Sequence, residues 1–140
     1  MDKHKHLTPI FNVIAEAKKH FEEKNDHRTG PKVLSFLRHL DREGVEYLGQ
    51  IAACPSEYPL GTDGFGPKSL EALQNFLRTK YGESFKLGSQ PEHANELGWK
   101  KPTSNITGLS NVHGGWFFEK LDRGEFQAAA IVKRVFGITP

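Results

Sequence analysis

A chain of 140 residues with 36% hydrophobic and 11% aromatic content can bury a real core, which excludes disorder throughout and suits one domain, alone or with an appendage. Nineteen basic against seventeen acidic residues leave a formal charge of +2, spread evenly along the chain, so any contact with a polyanion must be local. Cys54 is the only cysteine, which excludes an intramolecular disulfide and a multi-cysteine zinc site.

The opening residues, Met1 to His6, lack the apolar run of a secretory signal, and no stretch reaches the roughly 18 apolar residues of a membrane span. A cytoplasmic protein is expected. Thr8-Pro9 reads as a helix start, threonine as cap and proline in the first helical position. Ile10, Phe11, Val13, Ile14, Ala17 and Phe21 follow at helical spacing, predicting a helix over residues 9–24. Residues 25–30 read as a polar linker. Pro31 opens a second helix with Val33, Leu34, Phe36, Leu37 and Leu40 on one face, ended by Gly44. A short third helix is expected over residues 46–53, with Val45, Leu48, Ile51 and Ala52 inward.

Two prolines and two glycines in residues 55–64 argue for an irregular loop. The segment Gly64-Phe65-Gly66-Pro67-Lys68-Ser69 then reads as a tight glycine turn running into a helix, whose buried stripe is Leu70, Leu73, Phe76, Leu77 and Tyr81 and whose end is Gly82. Residues 89–115 show little regular structure beyond a turn of helix over 91–97. Trp116, Phe117, Phe118 and Leu121 form one amphipathic turn, with Trp116 and its neighbours as core anchors. Phe126, Ala129, Ala130, Val132 and Val135 predict a terminal helix. The fold class expected is all-α: an N-terminal helix and linker (1–30), a compact helical domain (31–88) and a partly irregular, then helical, extension (89–140).

The glycine turn is the segment with chemistry in it. Glycines on either side of Phe65 permit positive φ and close approach by a ligand, and a helix N-terminus aims unpaired amides outward. Lys68 and Ser69 add a charge and a hydroxyl beside those amides. Such a set grips phosphate.

Residues 34–88 resemble the C-terminal domain of the bacterial RNA polymerase alpha subunit, which ends in a helix-hairpin-helix-like element. Leu40, Glu43, Val45, Tyr47, Gly49 and Ile51 fall on that family's L-x-x-E-x-I-x-Y-I-G-D-L pattern. Gly66, Lys68, Ser69 and Leu70 fall on its G-x-K-S-L with no insertion between the two, and Leu87-Gly88 is similar to its closing S-L-G. The resemblance implies DNA, or the transcription machinery, as partner. The family's main DNA-contacting arginine falls at Ser35 and its nearby asparagine at Arg38, which leaves Arg38, one helical turn on, as the substitute cation. The family's third helix falls where Pro59 and Gly61 stand, so loss of regular form is expected there.

The expected DNA-binding set is therefore Gly66, Lys68, Ser69, Arg38 and Ser35, acting on the backbone of DNA. The alternative is a module of the same fold that contacts a transcription protein or another copy of itself without binding DNA. A purely architectural glycine turn ranks third, and Arg38 paired with Asp41 is the bland reading of that arginine. No enzyme, cofactor or metal is expected. His4 and His6 are two ligands in a polar tail without companions. His113-Gly114-Gly115 is similar to a lipase oxyanion loop, but the chain has no G-x-S-x-G. The nearest approach to a phosphate loop, residues 61–66, is followed by Pro67 where lysine is needed. Cys54 reads as a small buried residue at the end of an apolar helix.

Overall fold

The computed structural model describes residues 3–61, 64–101, 115–121 and 127–138. Helix dominates. Among the described residues six α-helices run in chain order: α1 (Ile10–Glu23), α2 (Thr29–Glu43), α3 (Leu48–Ala53), α4 (Glu57–Leu60), α5 (Pro67–Tyr81) and α6 (Ala128–Phe136). Short 3-10 turns at Lys3–Leu7, Glu83–Phe85 and Pro91–His93 and a two-stranded ribbon, β1 (Trp99–Lys100) and β2 (Phe117–Phe118), complete the described elements.

The first helix buries Ile10, Val13, Ala17 and Phe21, the stripe its apolar spacing predicts. Its start differs from the expected local cap. Pro9 is itself the capping residue, in extended conformation, and its own side chain makes no cap. The segment leading into α3 does that work: Ile10 N–H donates to Glu46 O at 2.8 Å, Leu48 N–H donates to Thr8 O at 2.9 Å, and Pro9 and Tyr47 form an antiparallel bridge. The entry to α1 is thus satisfied by tertiary pairing.

Helix α2 begins inside the expected linker because Asp26 caps it. The Asp26 carboxylate accepts from Arg28 N–H at 3.1 Å, from Thr29 N–H at 2.8 Å and from the Thr29 hydroxyl. These donors hold its pKa down at about 2, since each favours the charged form. Gly44, at φ +108°, ends the helix as expected. In α3, Leu48, Ile51 and Ala52 are fully buried, as is Val45 ahead of it. Gln50 Oε1 accepts from the backbone N–H of both Glu46 and Tyr47 at 2.9 Å, closing the helix N-terminus.

Two expectations are corrected. Residues 55–64 are not wholly irregular: Glu57–Leu60 makes one turn of helix. Pro59 is tolerated because its missing N–H falls within the first turn of a helix, where that donor has no intrahelical acceptor. Trp116 to Leu121 is not a helical turn; β2 pairs antiparallel with β1 in the register Trp99↔Phe118 and Lys100↔Phe117. Alternation puts Trp99 and Phe118 on one face, rings 4.8 Å apart. The anchor of the extension is Trp99, fully buried, whose indole N–H donates to Gln50 O at 2.8 Å and whose ring meets Tyr58 edge-on at 4.9 Å. Trp116 is half-buried, with the Lys101 ammonium 5.0 Å above its ring. The expected turn over 91–97 narrows to the 3-10 turn Pro91–His93, and the terminal helix is α6; the expected loop over 102–114 and Phe126 lie outside the described residues.

One buried cluster runs through all three sections of the chain. Val13 and Phe21 join Phe36, Leu37 and Leu77, and these join Trp99 and Val132.

Candidate nucleic-acid interface

The fifth helix starts where the glycine turn was expected, with Gly66 as its capping residue and Pro67 in the first turn. Only one of the two glycines bends the chain. Gly64 has φ +79°, whereas Gly66 is extended at φ −108° and ψ −173°, a conformation open to any residue. Among the described residues, a Cβ added at Gly66 would meet nothing within 4 Å. Neither backbone nor packing therefore demands glycine there, and what glycine supplies is bare backbone. The first turn of α5 carries no acidic residue and Gly66 has no side chain to cap it, so that among the described residues the positive end of its dipole is open to an anion.

Lys68 is exposed on that first turn. Ser69 is not: it is 3% exposed, in line with Leu73 and Phe76 at helical spacing on the core side. Its hydroxyl is turned from solvent, which removes Ser69 from the surface set, and Leu70, expected in the core stripe, is half-buried instead.

What brings α2 to this turn is an aromatic contact. Phe65, 5% exposed, sets its ring 5.0 Å from Phe36 of α2. Tyr58 lies 6.2 Å from the same Phe36 ring, and its hydroxyl is 3.0 Å from His39 Nε2. Burial, aided by the nearby Glu43 carboxylate, pushes the Tyr58 phenol well above its ordinary value, so it stays a neutral hydrogen-bonding group.

Ser35 and Arg38 are both exposed on α2. Arg38, two residues past Phe36, projects about 160° round the helix from it at 3.6 residues per turn. The Phe36–Phe65 contact does not gather Arg38 to the turn, and a ligand touching both Arg38 and Lys68 would have to span the solvent face of α2. Lys32, exposed and one turn before Phe36, lies only about 40° from it. Its i−4 spacing from Phe36 places it on that side of α2, whereas the resemblance points to Ser35 and Arg38.

The remaining chemistry-bearing side chains are placed otherwise. Cys54 is fully buried, and burial with the Glu57 charge pushes its thiol up, which keeps it protonated and unreactive. His6 is 4% exposed and stacked on Phe136, while His4 is exposed. His113 and Gly114 lie outside the described residues. Among the described residues no three His, Cys, Asp or Glu side chains gather as a metal site, and no helix is long and apolar enough to cross a membrane. No protein-family model, curated protein or solved structure matches this chain.

Proposed function

We propose that the chain is a non-enzymatic DNA- or transcription-associated protein that holds the DNA backbone at the start of α5. The observation that carries this reading is Gly66: a glycine that fold and φ do not require, with open space where its side chain would be, at the uncapped N-terminus of a 15-residue helix. Bare backbone at that point lets a phosphate oxygen reach the helix amides. Lys68 beside it supplies the charge, and Arg38 and Lys32 on α2 offer further cations across the solvent face. The resemblance of residues 34–88 to the polymerase alpha-subunit domain points to the same class of partner.

A second reading draws on Ser69 and Ser35. With Ser69 buried and serine where the family places its main arginine, the surface is poorer in phosphate donors. A protein partner in the transcription machinery, or a second copy of the chain, is the alternative occupant.

The variant Lys68→Glu separates them. Loss of one phosphate contact reduces the salt slope of duplex binding by about 1 and weakens all duplexes alike. Binding by Lys68→Glu equal to wild type would remove the turn from the interface.

A further inference from the structure

A cleft of about 310 Å³ opens between the turn that follows Pro91–His93, the ribbon and α6. Leu121 and Ile131 give it apolar walls, and Lys100, Arg134 and Glu96 also line it. Ile131 and Arg134 are three apart on α6 and so share one face of that helix. The Lys100 ammonium is fixed: it donates to Asn95 O at 2.8 Å and to Asn95 Oδ1 at 3.0 Å, which leaves its third N–H uncommitted.

From this geometry we infer a binding site for a small monocarboxylate with a short apolar body. Three features select that chemistry. Among the described residues that line it, two cations against one carboxylate leave a single net positive charge, which suits a monoanion and disfavours a dianion. The apolar walls would be left unfilled by a bare inorganic ion, and the two cations unanswered by a hydrocarbon. The volume lies at the small end of the roughly 300–1,000 Å³ range of ligand pockets, so the body is short. The site is independent of the α5 turn and does not rest on the DNA reading.

An NMR titration of the full chain with hexanoate, and with hexanamide as the neutral analogue, tests it. Hexanoate should saturate with an affinity on the order of mM and shift the amides of Asn95, Gly98, Lys100, Ile131 and Arg134. Arg134→Gln should weaken it about tenfold, the effect of losing one charge-assisted hydrogen bond. Glu96→Gln should tighten it, and because both side chains are exposed neither change threatens the fold. Hexanamide binding as well as hexanoate, an unchanged affinity in Arg134→Gln, or shifts confined to other surfaces would overturn the assignment. So would the absence of any saturable shift.

Discussion

The ring of His6 lies flat on the ring of Phe136, 3.8 Å between centroids and 17° from parallel, and so clamps the first described turn of the chain to its last helix. Both rest on Gly49 of α3: a Cβ there would stand 2.8 Å from Phe136 Cε2 and 3.2 Å from the His6 Cβ and backbone oxygen. Gly49 is one of the residues on which the alpha-subunit resemblance rests, and here it has a packing reason. The three-way contact makes the flanking sections part of the domain's core.

It follows that Gly49→Ala overpacks this junction and costs about 1–3 kcal/mol. Urea unfolding of wild type and variant measures it, and a shift in midpoint below one tenth of the wild-type value would show that the junction yields freely.

A fragment of residues 31–88 should not unfold cooperatively. It would lose Val13, Ala17 and Phe21 from one side of the core and Trp99 and Val132 from another, exposing the apolar surfaces of α2, α3 and α5 that they cover. Thermal circular dichroism distinguishes the outcomes: a sloping, featureless melt is expected, and a sharp transition at the full-length temperature would mean that the flanks add nothing.

The Asp26 cap ties stability to acid. Its folded pKa, about 2 against an ordinary 3.8, means the folded state binds fewer protons between these values. The contribution is therefore fully present above the ordinary value and is lost as pH falls through about 2. Asp26→Ala should cost about 1 kcal/mol at neutral pH, with the gap to wild type closing as the carboxylate protonates. A gap that stays constant into acid would show that charge plays no part in this cap.

Gly98→Ala should strongly destabilise the extension. Gly98 has φ +104°, and an added Cβ would lie 2.6 Å from Glu119 O, next to the 2.7 Å hydrogen bond from Glu119 N–H to Gly98 O. Left-handed backbone and a backbone clash combine to cost about 2–4 kcal/mol. Near-ultraviolet circular dichroism of Trp99 would report release of the ribbon, and an unaltered spectrum with an unaltered melting temperature would contradict the account.

Legibility in the sequence followed how local the cause was. Helices α1, α2 and α5 were readable because their apolar residues repeat at helical spacing, and Gly44 and Gly82 stand at the ends of α2 and α5. The ribbon was not, because two residues per strand carry no period and their pairing joins Trp99 to Phe118 across a long intervening stretch. The start of α2 was missed because Asp26, three residues before Thr29, caps it from within a polar run. At the start of α5, Lys68 is exposed, while Ser69 shows how one residue's turn round a helix separates surface from core.

The central claim, that the uncapped start of α5 holds a DNA backbone, is tested most directly by titrating A/T-rich and G/C-rich duplexes into the full chain at two salt concentrations, read by fluorescence anisotropy. The account predicts binding to both duplexes that weakens as salt rises, with a shallow slope set by Lys68 and the few cations of α2. Absence of salt-dependent binding even at roughly 10⁻⁴ M, the weak edge of non-specific affinity, would contradict it and give the turn to a protein partner.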